Sequence, residues 1–206
     1  MEPHLQMLQL LKQNYPDAHY YLRFSNPLEL LIATMLAPQT RDVAVNKVTE
    51  QLFLKYKTAE DYSQADPEEL LGYLSAINYA AKKVQYIQTT CRFLIQKCQG
   101  QVPDTMEALT ELPGVGRKTA NSILINAFNK VVGISVDVHV IRLSQRMGWT
   151  KQQNPEKIEK DLMSLFSQQE WKTLSWLLKA HGQKICKAKP DCLHCFMNQI
   201  CPKHEL

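Results

Sequence analysis

Residues 112–120 read LPGVGRKTA, and this stretch lies between two segments whose apolar residues recur at helical spacing. The first segment begins at Asp104, a candidate N-cap with Glu107 three residues later. The second begins near Gly116 and carries an apolar stripe of Ala120, Ile123, Leu124, Ala127 and Phe128. The sequence therefore predicts two helices joined by a tight, glycine-containing turn at residues 113–116.

A turn of this kind leaves the first backbone N–H groups of the second helix pointing outward, which suits a phosphate group. A G-x-G pattern alone indicates only a structural turn, but the nine-residue string between two helices is far more specific. We expect it to contact a polyanion through Leu112, Gly114, Val115, Gly116 and Arg117.

Lys118 lies in the first turn of the second helix, about opposite the apolar stripe, on the side of Asn121 and Ser122. We therefore expect it to face outward beside the phosphate-binding turn. The positive end of the helix dipole disfavours an ammonium there and favours the neutral amine that a nucleophile requires. Taken alone, Lys118 is equally well explained as an ordinary phosphate-contacting lysine.

The rest of the chain predicts an all-helical protein of about ten short helices. Helix starts are indicated by the cap-proline pairs at Asn26, Asp66 and Asn154, and no hairpin signal or internal repeat is found. Residues 134–143, ISVDVHVIRL, alternate as a strand would. A helical period continues from Val140, however, so we expect a helix with Asp137 as its cap.

The net charge of +4 is concentrated in two regions. Residues 112–150 carry five Lys and Arg against one acidic residue, and residues 179–206 carry five against two. Two basic regions beside candidate chemical motifs favour nucleic acid as the partner. No apolar run approaches the roughly 20 residues that span a bilayer, and the N-terminus lacks the features of a signal peptide. We therefore expect a cytoplasmic protein with no membrane partner.

Four of the six cysteines lie within residues 186–201, CKAKPDCLHCFMNQIC. Two disulfides, a zinc ion and an iron-sulfur cluster are all possible interpretations. A reducing compartment favours a metal site over disulfides. Zinc sites usually contain two close C-x2-C pairs and this segment has only one, from Cys192 to Cys195, but the number of ligands alone does not separate zinc from [4Fe-4S]. Cys91 and Cys98 are expected to be buried small hydrophobic residues.

The string LPGVGRKTAN, followed by VDVHVIRLSQR at residues 136–146, resembles the helix-hairpin-helix DNA glycosylases, and specifically the endonuclease III family. The similarity extends back through FSNPLELLIATMLAPQTRDVAVNK and forward to the four cysteines. It implies base-excision repair of oxidised pyrimidines and strand cleavage 3′ to the abasic site by β-elimination. Its substrate would be double-stranded DNA containing damaged or abasic sites, bound by a monomer associated with the nucleoid.

The resemblance assigns roles to two residues. Lys118 matches the family's nucleophile, which would form a Schiff base at the sugar C1′ of a flipped nucleotide. Asp137 matches the aspartate that would stabilise positive charge on the sugar and help to deprotonate the lysine. Taken alone, Asp137 is also explained as a helix cap.

The fold implied by the resemblance has two helical lobes with the active site in the cleft between them. Residues 20–130 would form a helical barrel that includes the helix-hairpin-helix at residues 105–129. Residues 1–19 and 131–206 would form the second lobe, with a [4Fe-4S] cluster held by Cys186, Cys192, Cys195 and Cys201. The first gap between these cysteines has five residues where the family has six. The lysines in that gap, Lys187 and Lys189, would meet DNA phosphates.

The family fills the space left by a flipped base with side chains from two loops. Gln39 matches the first of these side chains. At the second loop the family usually has Gly-Leu before a Tyr, and this chain has Ile77-Asn78-Tyr79. Asn78 would stack less well than Leu but could hydrogen-bond to the orphaned base, or it could serve only as a turn residue.

Two alternative functions remain open at this point. One is an adenine mismatch-type glycosylase of the same superfamily, although that group lacks the lysine nucleophile. The other is a non-catalytic iron-sulfur protein that binds DNA.

Overall fold

The computed structural model describes residues 2–204, and within this range it contains eleven helices and no strand. The predicted all-helical class is therefore confirmed. Helices begin where the cap-proline pairs predict them, because the side chains of Asn26, Asp66 and Asn154 each accept a backbone N–H from the first turn that follows. No helix in the described range has both the length and the apolar composition needed to cross a bilayer.

The described residues divide into two compact units. Tyr21–Lys130 forms one unit, which we call the barrel unit. Its core is apolar, and Leu30, Leu52 and Leu94 are fully buried in it. Its helices are α2 (Pro27–Leu36), α3 (Asp42–Lys55), α4 (Ala59–Gln64), α5 (Pro67–Tyr73), α6 (Ala80–Cys98), α7 (Met106–Thr110) and α8 (Arg117–Ala127).

The other unit, which we call the cysteine unit, combines the chain up to Tyr20 with the chain from Val131 onward. Its helices pack around a core in which Leu11, Leu143 and Leu174 are fully buried. The cysteine segment follows the last of these helices. The helices of the cysteine unit are α1 (Pro3–Asn14), α9 (Val138–Arg146), α10 (Pro155–Leu165) and α11 (Gln168–Lys184).

The N-cap of the helix before the turn lies one residue after the predicted one. Thr105, not Asp104, is the N-cap of α7, and its hydroxyl accepts the backbone N–H of Ala108 at 3.3 Å. Asp104 is unavailable as a cap because its carboxylate forms an ion pair with Lys130, just beyond the end of α8. This ion pair joins the two ends of the helix-hairpin-helix.

The segment at residues 134–143 adopts the predicted helix. The helix, α9, begins at Val138, and the residues before it form no strand. The two cysteines outside residues 186–201 differ in their burial. Cys91 is fully buried, and burial raises the pKa of its thiol to about 12, whereas Cys98 is only half-buried.

Candidate active site

The turn between α7 and α8 is fixed by contacts with α6. Gly114 has a φ of +78°, a left-handed conformation that favours glycine, and a Cβ added there would lie 3.4 Å from the ring of Tyr86. The hydroxyl of Thr90, also on α6, donates to the carbonyl of Pro113 at 2.7 Å. The turn is therefore held in one conformation by side chains of α6.

Gly116 differs from Gly114 because its backbone is extended, with a φ of −95°. A Cβ added to Gly116 would meet no atom within 4 Å, so the space above this residue is open. Gly116 is the N-cap of α8 and, having no side chain, provides no side-chain cap to the first turn. The start of α8 thus has the open, positively polarised backbone that binds anions.

The other predicted contacts of the turn fall into two groups. Gly114 and Arg117 are exposed, as a DNA contact requires. Leu112 and Val115 are buried, and each donates its backbone N–H within the hairpin. The side chains of Leu112 and Val115 therefore support the turn from its buried side.

Lys118 is exposed in the first turn of α8, as expected. Asn121 and Ser122, which lie on the same side of α8 as Lys118, are buried at 1% and 8% exposure. All residues of α8 from Ala120 to Ile125 are buried, so the helix is enclosed on both sides after its first turn. Only the first turn of α8, which carries Lys118, offers an open surface.

Asp137 caps α9. Its Oδ1 accepts the backbone N–H groups of His139 at 2.8 Å and of Val140 at 2.9 Å. Both hydrogen bonds use the same carboxylate oxygen, and the residue is half-buried. These bonds fix the carboxylate at the N-terminus of α9.

Two loops of the barrel unit meet beside the start of α6. Gln39 and Asn78 are both exposed and are brought together, because the Asn78 side-chain amide donates to the Gln39 carbonyl. Gln39 and the next residue of the second loop, Tyr79, have φ angles of +57° and +59°. Each such conformation costs a non-glycine residue about 1–3 kcal/mol and is typical of functional loops.

Lys83 links these loops, and sequence analysis did not single it out. It is 7% exposed, and its ammonium donates to the carbonyls of Leu36 and Pro38, each at 2.7 Å, and to the Thr40 hydroxyl at 3.2 Å. Burial lowers the pKa of Lys83 from its usual value. No local pattern could have revealed this role, since a lysine on a helix is usually exposed.

The four cysteines of the segment at 186–201 line one pocket. All four are free thiols and half-buried. Burial raises the pKa of Cys195 and Cys201, and the neighbouring thiols of the segment raise it further. Thiolates this close together repel one another, so a bound cationic group would stabilise them.

The geometry of this pocket bears on the group that it fits. In the described range, no three His, Cys, Asp or Glu side chains are arranged to hold a metal ion. A zinc ion requires its four sulfur ligands about 2.3 Å from one point. Four cysteine thiols that line one pocket are a donor set that fits either a zinc ion or an iron-sulfur cluster.

Two arginines of α9 hold the start of the cysteine segment. Arg146, only 8% exposed, donates to the carbonyls of Lys187 at 2.6 Å and Ala188 at 3.0 Å. Arg142 donates to the carbonyl of Cys186 at 3.0 Å. The loop is therefore fixed while the side chains of Lys187 and Lys189 remain exposed. Neither arginine has a local sequence signal, because its carbonyl partners lie some 40 residues away along the chain.

Comparisons with known proteins agree with this arrangement. The model of the HhH-GPD superfamily of base excision DNA repair proteins matches residues 32–168. Endonuclease III of Synechocystis sp. is 41% identical over 97% of this chain and 92% of its own length. Endonuclease III of Escherichia coli K12 is 37% identical over 98% of this chain and 95% of its own length. The solved structure of a trapped endonuclease III–DNA covalent intermediate, an estranged-adenine complex, has a TM-score of 0.91 at 38% identity and covers 98% of this chain and 97% of the solved one.

The fold and the hairpin site thus define a helix-hairpin-helix base-excision repair protein. Within that superfamily, the chain belongs to the endonuclease III family. It is accordingly a base-excision repair enzyme with DNA glycosylase and AP lyase activity.

Proposed function

We propose that this enzyme excises oxidised pyrimidines from double-stranded DNA and then cleaves the strand 3′ to the resulting abasic site, with Lys118 as the nucleophile. The observation that carries this proposal is the position of Lys118. It is an exposed lysine in the first turn of α8, directly after a turn that is open to a phosphate.

The damaged nucleotide must leave the stack, because its C1′ is inaccessible inside a duplex. The neutral amine of Lys118 attacks C1′, and the N–C1′ bond forms as the bond to the base breaks. The base leaves with the electron pair and takes up a proton. Opening of the sugar ring gives the Schiff base. Loss of a proton from C2′ then breaks the C3′–O bond and expels the 3′ phosphate.

Asp137 assists this chemistry as a carboxylate. It accepts a proton from the Lys118 ammonium and stabilises the positive charge that develops on the sugar as the base leaves. Its Oδ1 is occupied by the two cap hydrogen bonds. Oδ2 is the oxygen that acts on the substrate.

DNA is bound at two basic surfaces. The open turn at Gly114, Gly116 and Arg117 receives one phosphate through backbone N–H groups. Lys187 and Lys189 contact the backbone at the other surface. The protein acts as a monomer in the cytoplasm, at the nucleoid.

Cys186, Cys192, Cys195 and Cys201 hold a [4Fe-4S] cluster. The shared pocket, the free thiols and the mutual repulsion of the thiolates support this proposal. When bound, the cluster supplies a positively charged cross-link for the thiolates and fixes the loop that carries Lys187 and Lys189. The five-residue gap between Cys186 and Cys192 is accommodated by the arginines of α9 that hold its backbone.

Borohydride trapping tests the nucleophile. Borohydride should reduce the Schiff base formed with an abasic duplex and leave a covalent protein–DNA adduct. Lys118→Ala should form no adduct, whereas Lys151→Ala, which removes another exposed lysine, should react as the wild type does. Adduct formation by Lys118→Ala would exclude the proposed mechanism.

Two further measurements test the substrate and the cofactor. Excision assayed against a panel of damaged bases should be fastest for oxidised pyrimidines, and a preference for adenine opposite a damaged base would overturn that assignment. Anaerobically purified protein should contain about four iron and four sulfide per chain. One zinc and no iron would exclude the cluster.

A further inference from the structure

A buried histidine of the cysteine unit takes no part in the proposed DNA chemistry. His181 lies in the last turn of α11 and is 1% exposed. Its Nδ1 atom lies 2.9 Å from the Tyr15 hydroxyl, and its Nε2 atom lies 3.7 Å from the Sγ atom of Cys195. The imidazole therefore connects a tyrosine at the end of α1 to one of the four cysteines of the segment at 186–201.

Aromatic packing fixes the orientation of the imidazole. Phe196, which directly follows Cys195 along the chain, packs against the His181 ring with centroids 5.1 Å apart. Phe196 also packs against the Tyr15 ring, with centroids 5.8 Å apart. Tyr15 is only 7% exposed, so little water reaches either hydrogen bond. The three rings thus hold both contacts of His181 in one geometry.

The direction of the two hydrogen bonds follows from the groups at their ends. A thiolate that binds a metal can only accept a hydrogen bond, so the Nε2 atom that faces Cys195 must carry the proton. Burial favours the neutral form of the imidazole, whose Nδ1 is then a bare acceptor. The Tyr15 hydroxyl donates to this Nδ1 atom. Tyr15 thereby selects the tautomer of His181 that can donate to the sulfur.

The sulfur of Cys195 needs donors from the protein. Cys195 packs against the apolar core of the cysteine unit, where little water is present to compensate a thiolate charge. Its Sγ atom accepts the backbone N–H of Met197 at 3.4 Å. Met197 belongs to the same segment as Cys195, whereas His181 belongs to α11. The imidazole is therefore the donor that ties this sulfur to a helix.

We propose that His181 and Tyr15 are positioning residues for the proposed cluster: His181 donates its Nε2–H to the Cys195 sulfur, and Tyr15 holds the imidazole in the tautomer that allows this. The inference rests on the proposed function, because it requires the cluster ligands assigned there. A hydrogen bond to a ligand sulfur disperses its negative charge. It therefore slows loss of that ligand and favours the more negative, reduced state of the cluster.

Release of iron to a chelator and the reduction potential of the cluster, both measured on anaerobically purified protein, test the inference. His181→Leu removes the donor and should release iron at least about ten-fold faster than the wild type. It should also lower the potential by about 59 mV, a ten-fold change in a one-electron equilibrium. His181→Gln keeps an N–H donor near the position of Nε2 and should restore both values toward those of the wild type.

Tyr15→Phe keeps the packed ring but loses the hydroxyl. It should change both values in the same direction by a smaller amount, and it serves if His181→Leu does not fold. Tyr62→Phe removes a hydroxyl from a tyrosine buried in the barrel unit and should leave both values unchanged.

The inference is overturned if Tyr15→Phe retains both wild-type values. It is also overturned if His181→Gln releases iron as fast as His181→Leu, because the ring would then matter only for its packing. Failure of the proposed cluster would look different, since the wild type itself would then contain zinc and no iron.

Discussion

At the scale of single residues, Asp137 combines two tasks that substitution can separate. It caps α9 through two backbone hydrogen bonds, and we propose that it also acts on the substrate as a carboxylate. Asparagine caps helices as well as aspartate does but carries no charge. Asp137→Asn should therefore retain the wild-type free energy of unfolding and lose about 100-fold or more in kcat. Asp137→Ala should lose the same activity and also about 1 kcal/mol of stability.

A cap elsewhere in the same unit provides the control for Asp137. Asn154 accepts two backbone N–H groups at the start of α10, at 2.9 and 3.2 Å, much as Asp137 does for α9. Asn154→Ala should cost about 1 kcal/mol in chemical denaturation and leave kcat unchanged. Full activity in Asp137→Asn would show that the residue is only a cap.

The two glycines of the turn should respond in opposite ways to a methyl group. Gly114→Ala places a side chain on a backbone with a φ of +78°, next to the Tyr86 ring, and should cost roughly 1–2 kcal/mol of stability. Gly116→Ala meets no atom within 4 Å and should cost less. It should instead weaken DNA binding roughly ten-fold, because the methyl group occupies the space that a phosphate would take. Denaturation curves and equilibrium DNA titrations measure the two effects, and equal DNA affinity in both variants would contradict this division.

The residues that sequence predicted correctly and those that it missed differ in the range of their interactions. The glycine turn, the exposed Lys118 and the Asp137 cap all follow from neighbours within a few positions along the chain. The burial of Lys83 depends on oxygens more than 40 residues away, and so it has no local signal. The incorrect assignment of Asp104 as a cap has the same cause. The ion-pair partner of Asp104 is Lys130, which lies 26 residues away and leaves no local signal.

At the scale of elements, α9 connects the proposed catalytic carboxylate to the cysteine segment. Asp137 caps its first turn, and Arg146 at its end holds the carbonyls of Lys187 and Ala188. Arg146→Met would leave both carbonyls without this charged donor, which should cost about 3 kcal/mol. We expect the variant to lose part of its iron and sulfide on purification.

Arg92→Met is the matched control for Arg146→Met, because it removes an exposed arginine from α6 in the barrel unit. It should retain iron and sulfide at the wild-type level. If Arg146→Met also retains them at that level, the loop is held by the cysteines alone.

The elements themselves were the most predictable level of the structure. Cap residues, prolines and apolar spacing placed the helices, because those signals act within one or two turns. The arginines of α9 were not predicted as structural, because a basic residue on an amphipathic helix is usually solvated. Their carbonyl partners come from a segment with no regular structure, and no pattern in the sequence indicates its path.

At the scale of the whole molecule, the distribution of charge should set the salt dependence of DNA binding. Each lysine that neutralises a phosphate contributes about 0.9 to the slope of log K against log salt concentration. Replacing Lys187 and Lys189 with Ala should therefore reduce the slope by about 1.8. The same double change at Lys157 and Lys160, exposed lysines in a charge-balanced segment, should leave it unaltered. Equal slopes for the two double variants would show that the cysteine loop does not meet DNA.

Loss of the proposed cluster should affect the two units unequally. All four cysteines belong to the cysteine unit, and Cys186, Cys195 and Cys201 pack against its apolar core. The barrel unit is one continuous segment with a core of its own. Without the cluster, thiolate repulsion and the exposed edge of that core should open α9 and α11, and hydrogen exchange should accelerate there.

Exchange in α2, α6 and α8 should meanwhile stay near its rate in the intact protein, and Lys118 should keep its place on α8. Hydrogen exchange followed by mass spectrometry, before and after removal of iron with a chelator, measures both units in one sample. Cys91→Ser, in the barrel unit, provides the opposite pattern, because a hydroxyl buried in place of that thiol should speed exchange in α6 first. If chelation accelerates exchange equally in both units, the cluster stabilises the molecule as a whole, and the two units do not unfold independently.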